Sequence, residues 1–114
     1  MRLDPDLIRG LLLRVEGHEE PDLSQWSEEQ QTYHLAHLID GGFVRGSARK
    51  GTMGEYRGAV GVDLTWEGHE FLANARNATL WPKAKEQVAK AGGSVSLQVL
   101  GQVLSRLALN SLGF

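Results

Sequence analysis

The chain has 114 residues, with 12 Lys or Arg against 14 Asp or Glu, and no cysteine. This length suits one domain with a hydrophobic core, but it is too short for a Rossmann or barrel enzyme. Without cysteine, the protein has neither disulfides nor a thiolate metal site. Acidic residues near the amino terminus argue against a signal peptide, and the apolar stretches are too short to span a membrane. We therefore expect a soluble cytoplasmic protein.

Charge is distributed unevenly along the chain. Residues 1–44 contain three Arg and nine Asp or Glu, which gives −6, whereas residues 45–114 contain nine Lys or Arg and five Asp or Glu, which gives +4. Such an asymmetry says more about binding partners than the net charge of −2 does. Any contact with nucleic acid is therefore expected in the second half of the chain.

The first helix is predicted from its ends. Asp4 can cap it, Pro5 suits the first helical position and Gly17 favours its end, with apolar residues at helical spacing between them. The next ten residues include a proline and leave no room for a normal second helix, although Leu23 could lie in a short strand.

A second helix is predicted over residues 28–39. Ser27 and Gln30 have the spacing of a capping box, and the apolar residues Leu35, Leu38 and Ile39 are assigned to the core. The outward face then carries four residues that could contact bases or a partner protein, or could form a solvated polar surface: Gln30, Tyr33, His34 and His37. Glu28 and Glu29 at the helix start oppose DNA binding, which depends on phosphate neutralisation.

Two strands are predicted next, one at Phe43 and Val44 and one over residues 59–64. The intervening segment, RGSARKGTMGEYRG, is rich in glycine and indicates a flexible hairpin loop of about a dozen residues. Its basic residues could bind phosphates or could simply be solvated: Arg45, Arg49, Lys50 and Arg57.

Three helices are predicted in the remainder of the chain. Thr65 caps the first, Pro82 suits the first position of the second, which ends at Gly92 and Gly93, and the third runs over residues 95–112. The third helix has an apolar band wide enough for two burial partners. It either packs wholly within its own chain or also forms a homodimer interface through Leu97, Leu100, Leu104 and Leu107. We divide the chain into a domain of residues 1–78 and a helical extension of residues 79–114.

The predicted order of elements is that of a winged helix, namely helix, short strand, helix, strand, glycine-rich loop, strand and helix. The approach to a winged-helix wing is resembled by the segment HLAHLIDGGFVRG. The exit from such a wing is resembled by the segment LTWEGHEFLANAR. Together with SEEQ, YHL, WPKAKEQ and GGSVSLQVL, they make the chain similar to an uncharacterised family of small winged-helix-like proteins from phages, prophages and bacteria. That resemblance implies an α+β, mostly helical fold and a mobile-element setting, and it implies no activity.

Catalytic and metal chemistry find little support in the sequence. His34 and His37 could supply two metal ligands, but His18 and His69 lie in separate elements. His69 and Glu70 begin a metalloprotease-like motif in which Ala73 replaces the second histidine. The chain has no Walker-type phosphate loop and no nucleophile elbow. We expect a non-enzymatic protein without metal or cofactor.

The sequence is compatible with two functions. The first is a phage-type accessory or regulatory protein that binds double-stranded DNA through its basic wing. The second is a protein-interaction module, an adaptor or inhibitor of a host or phage protein, that has lost DNA binding.

Overall fold

The computed structural model describes residues 2–93 and 95–113. They form an α+β fold that is mostly helical, as predicted, with five helices and one two-stranded antiparallel sheet. In chain order the elements are α1 (Pro5–Glu16), α2 (Glu28–Asp40), β1 (Val44–Lys50), β2 (Tyr56–Leu64), α3 (Trp66–Ala75), α4 (Leu80–Lys90) and α5 (Leu97–Ser111). Within the described residues, no helix is both long enough and apolar enough to cross a membrane.

The predicted helix caps are confirmed. The Asp4 carboxylate accepts hydrogen bonds from the first backbone N–H groups of α1, and Gly17 ends that helix with φ of 87°. Ser27 and Gln30 form both hydrogen bonds of the capping box at the start of α2. The Thr65 hydroxyl accepts from the Gly68 N–H at the start of α3. These bonds satisfy backbone donors that have no partner inside a helix.

The segment between α1 and α2, residues 17–27, contains turns and no helix, as predicted. The strand predicted at Leu23 is wrong, because this segment does not pair with the sheet. The Leu23 side chain is buried, and its carbonyl accepts a hydrogen bond of 3.0 Å from the Gln31 side chain. Gln31 also binds the Trp26 carbonyl at 3.0 Å, so α2 itself holds this segment in place.

The hairpin is longer and more regular than predicted. Strands β1 and β2 remain paired as far as Lys50 and Tyr56, and only residues 51–55 form the turn. The prediction of a flexible loop of about a dozen residues is therefore wrong. Glycine composition suggested the loop, but Gly46 is needed within the strand, because a Cβ there would overlap the Val60 carbonyl oxygen.

The core is built around α1 and extends to α5. Five apolar side chains of α1 are buried, namely those of Leu7, Ile8, Leu11, Leu12 and Leu13. Three of the four leucines predicted as a dimer interface belong to the same core, with exposures of 4% for Leu97, 2% for Leu100 and 0% for Leu104. Leu107 is partly buried against it. Because these side chains are covered by their own chain, they are not free to form the homodimer interface that was predicted for them.

Candidate functional site

The predicted outward face of α2 divides into three environments. Tyr33 and His37 are half-buried on the side that faces the hairpin. The Gln30 side-chain oxygen accepts the Ser27 N–H at 2.9 Å, so it serves the capping box. The prediction that His34 points outward is wrong, since this residue is only 1% exposed. Without a helix between α1 and α2, the start of α1 lies against His34 and covers it.

Both ring nitrogens of His34 are used within the fold. The backbone N–H of Asp4 donates to Nε2 at 2.8 Å, so Nδ1 carries the proton and donates to the Gln30 carbonyl at 2.7 Å. The Asp4 carboxylate in turn accepts the Trp26 indole N–H at 2.9 Å. These bonds join α1, the 17–27 segment and α2, and they leave His34 no free nitrogen for a metal or a base.

This arrangement predicts that the protein loses stability as the pH falls from 7.5 to 5.5. Burial lowers the pKa of His34 below the usual value of 6.5, so the unfolded chain binds protons that the folded chain excludes. The contribution is complete above the unfolded pKa and declines as the pH falls through it. Urea denaturation at several pH values measures this loss.

His34→Gln is the matched variant for that measurement, because its amide oxygen can accept the Asp4 N–H without titrating. We expect a smaller difference in stability between pH 7.5 and 5.5 for this variant than for the wild type. Equal differences in the two proteins would contradict a buried neutral His34.

Three of the four predicted basic hairpin residues are paired with carboxylates. Arg45 binds Asp63 through two hydrogen bonds of 2.8 and 3.1 Å, which raise the pKa of Arg45 and lower that of Asp63. Arg57 pairs with Glu55 at 3.1 Å. Lys50 lies 3.8 Å from an Asp40 oxygen at the end of α2.

Arg49 is exposed, and no ion pair involves it within residues 2–93 and 95–113. The four basic side chains of the hairpin thus stand beside three carboxylates, which leaves a net of one positive charge. This surface is much less basic than the sequence of the hairpin alone implies.

An aromatic cluster forms where α2 meets the hairpin. The rings of Tyr33 and His37 lie 4.4 Å apart between centroids, and Tyr56 of β2 lies 6.1 Å from Tyr33 and 5.3 Å from His37. Burial lowers the pKa of His37, which favours its neutral form. The cluster thus presents three aromatic rings.

Asp40 and Lys50 fix the position of the Tyr56 ring. The Tyr56 hydroxyl donates to an Asp40 oxygen at 2.5 Å, and this bond raises the pKa of Tyr56 to about 12. The Lys50 ammonium lies 5.3 Å from the centre of the same ring, within the range of a cation–π interaction. Tyr56 is consequently a protonated, oriented ring at neutral pH.

These residues line an open cleft of about 560 Å³, which we call the α2–hairpin cleft. Its walls are Glu29, Tyr33, His37, Lys50, Gly54, Glu55 and Tyr56. The structure thus brings together two of the predicted helix residues and one predicted basic residue. Sequence reasoning missed Tyr56, Glu29 and Glu55. Tyr56 comes opposite Lys50 through the strand pairing of the hairpin, which the sequence pattern does not show.

Comparison with known proteins places the chain in a family. Residues 2–94 match the family model described as "Hypothetical protein (DUF2513)". The chain belongs to the DUF2513 family. The matched residues include every wall of the α2–hairpin cleft and end before α5 begins.

DUF2513 membership is consistent with the similarity to a protein of Haemophilus influenzae (strain Rd) that is named only "Uncharacterized protein". The two are 30% identical over 110 residues, which cover 90% of this chain and 92% of the relative. No solved structure matches the chain. The predicted membership of an uncharacterised family is therefore confirmed.

No three His, Asp or Glu side chains in the described part of the chain lie close enough together to hold a metal ion. The two histidines that the sequence offered as possible metal ligands, His34 and His37, are divided between the core and the cleft. Neither residue shares a cluster of metal-binding groups with His18 or His69 in the part of the chain that the structure describes.

Proposed function

We propose that this protein is a non-enzymatic interaction module with a winged-helix-like fold, and that it binds a partner protein at the α2–hairpin cleft. The observation that carries the proposal is the aromatic cluster of Tyr33, His37 and Tyr56, which lines an open cleft. Aromatic side chains that are partly exposed and held rigidly are typical of protein-binding surfaces.

The order of the elements supports the winged-helix-like assignment. Helix α2 corresponds to the recognition helix, β1 and β2 to the wing, and residues 17–27 stand where the preceding helix would be. A module without that helix lacks the element that normally crosses the DNA backbone and seats the recognition helix in the groove. The resemblance to phage and prophage proteins makes a host or phage protein the expected class of partner.

The charges of α2 and the hairpin favour a protein partner over DNA. Asp40, Glu55 and Asp63 pair with three of the four basic hairpin residues, and Glu28 and Glu29 add negative charge at the start of α2. Phosphate binding would require these carboxylates to be displaced or to lie close to the DNA backbone.

DNA binding through the hairpin is the second candidate function, and one observation favours it. Arg49 is exposed and, within the described residues, outside any ion pair, on a hairpin whose tip contains Gly51 and Gly54. Its signature would be binding to mixed-sequence duplex DNA that weakens steeply with salt and is lost in Arg49→Ala.

Co-purification from cells that carry the gene naturally tests the first candidate. Glu29→Lys reverses a charge on the wall of the cleft and is expected to remove the bound partner. Glu28→Lys is the matched control, since it makes the same change one residue earlier and lines a different groove, beside Arg14 and Gln31. Both positions lie in the first turn of α2, so their effects on helix stability should be similar.

The expected result is a protein recovered with the wild type and with Glu28→Lys at comparable levels and depleted with Glu29→Lys. Equal recovery with all three proteins, or loss with both variants, would contradict binding at the cleft.

A further inference from the structure

We propose that the α2–hairpin cleft accepts an arginine side chain of the partner, and that Lys50 occupies part of this site until the partner binds. The inference rests on the proposed function, because it names the chemistry that the same surface recognises. It follows from three features of the cleft, namely clustered aromatic rings, an available carboxylate and a cation already in place.

The rings provide the surface on which a guanidinium group can stack. Tyr33 and His37 lie at 4.4 Å with their planes tilted by 53°, and Tyr56 stands nearly perpendicular to both at 75° and 74°. A guanidinium is planar and weakly hydrated, so it stacks on such rings more readily than an ammonium does. The hydrogen bond from Tyr56 to Asp40 keeps the third ring in place without occupying its faces.

Glu29 provides the charge that would bind the guanidinium. It lies one helical turn before Tyr33, so both side chains line the same cleft. Glu55 also lines the cleft, but Arg57 already pairs with it. In the part of the chain that the structure describes, Glu29 forms no ion pair, which leaves its carboxylate able to accept a bidentate arginine contact.

Lys50 shows that the site already accommodates a cation. Its ammonium lies 5.3 Å from the centre of the Tyr56 ring and 3.8 Å from the Asp40 carboxylate. Its side chain is 56% exposed, so it can swing outward at little cost when a better-matched cation arrives. The local charge favours an incoming cation over a phosphate, because three acidic side chains outnumber two basic ones in and beside the cleft. The acidic residues are Glu29, Asp40 and Glu55, and the basic residues are Lys50 and Arg57.

The test uses three capped peptides, tri-arginine, tri-lysine and tri-glutamate, and follows the backbone amide signals of α2 and the hairpin during titration. We expect tri-arginine to shift signals around Tyr33 and Tyr56, tri-lysine to bind more weakly and tri-glutamate not to bind. Preferential binding of tri-glutamate, or equal binding of tri-arginine and tri-lysine, would overturn the proposal.

Two matched pairs of variants localise the binding. Glu29→Gln should weaken tri-arginine binding by about fivefold, whereas Glu28→Gln should leave it nearly unchanged. Lys50→Met should tighten binding by roughly two- to fivefold, because it removes the resident cation, whereas Arg49→Met makes the same change in charge outside the cleft and should have little effect. Equal effects within either pair would mean that only the overall charge matters, and this would overturn the proposal.

The outcome separates this inference from the proposed function. If the partner is lost in Glu29→Lys but tri-arginine does not bind, the cleft binds a protein by other chemistry. If partner recovery is also insensitive to Glu29→Lys, the proposed function itself fails.

Discussion

Replacing Gly68 by alanine is expected to destabilise the protein by about 3 kcal/mol, although alanine is the better helix former. Gly68 lies in the first turn of α3, where a Cβ would overlap the backbone carbonyl oxygen of Phe43. The same oxygen accepts the Thr65 N–H at 3.1 Å, so it cannot move away without breaking the contact that starts α3. Urea denaturation of the wild type and the variant measures the difference in the free energy of unfolding.

Gly101→Ala is the control for this prediction. Gly101 lies in α5, and a Cβ there would meet the Phe71 ring at 3.6 Å, an ordinary packing distance. We expect this substitution to stabilise the protein by about 0.5–1 kcal/mol, the usual gain from replacing glycine inside a helix. If both variants changed stability in the same direction by similar amounts, the close contact of α3 with Phe43 would not exist as described.

The Gly68 contact also gives a physical reason for the LTWEGHEFL segment that suggested the wing exit. Leu64 and Phe71 are buried, Thr65 caps α3 and Gly68 allows the helix to approach the start of the hairpin. These four residues therefore have packing or capping roles, whereas Trp66 of the same segment is 74% exposed. The four residues specify how the helix follows the hairpin.

Leu100→Glu is expected to cost about 4 kcal/mol or more and to unfold much of the protein. Leu100 is 2% exposed and packs in the core shared by α1 and α5, so the substitution would bury an unpaired carboxylate. Leu109→Glu on the same helix is the control, because Leu109 is 53% exposed and the change should leave stability nearly unaltered. Circular dichroism with thermal unfolding measures both effects.

A folded, monomeric Leu100→Glu variant would contradict this account of α5. It would mean that the Leu100 side chain faces a second subunit and is not buried within its own chain. The predicted homodimer stays a prediction, and among the described residues of α5 and its cap the exposed apolar side chains that could serve it are Val99, Leu109 and Leu112.

Local patterns predicted three helix starts well, but α4 begins at Leu80, so Pro82 is not at the first helical position that was predicted for it. The capping box of Ser27 and Gln30 and the caps at Asp4 and Thr65 involve residues only two or three positions apart, so the sequence is sufficient to recognise them. The missing helix at residues 17–27 was also predictable, because a short interval containing a proline cannot hold one. The absence of a strand at Leu23 was not predictable from the local sequence, because a strand forms only where a neighbouring strand pairs with it. In the structure the Leu23 carbonyl instead accepts a hydrogen bond from the Gln31 side chain.

The cleft could be predicted only in part, because its composition depends on contacts distant in sequence. His34 lies on the same helical row as His37, and only the start of α1, thirty residues away, buries the first and leaves the second near the surface. Tyr56 reaches the cleft because the hairpin pairs it with Lys50 after an irregularity between Arg49 and Lys50. The glycine-rich composition of this part of the hairpin predicts a loop, whereas backbone hydrogen bonds keep the two strands paired.

Site-specific photo-crosslinking in cells tests the central claim that the α2–hairpin cleft binds a partner protein. Tyr33→p-benzoylphenylalanine keeps an aromatic ring in the cleft, and the same photoreactive residue at Glu86, on the exposed side of α4, is the control. We predict a discrete protein adduct that resists nuclease, forms from position 33 and is absent from position 86. Adducts that are digested by nuclease, or a protein adduct of equal yield from both positions, would contradict the account.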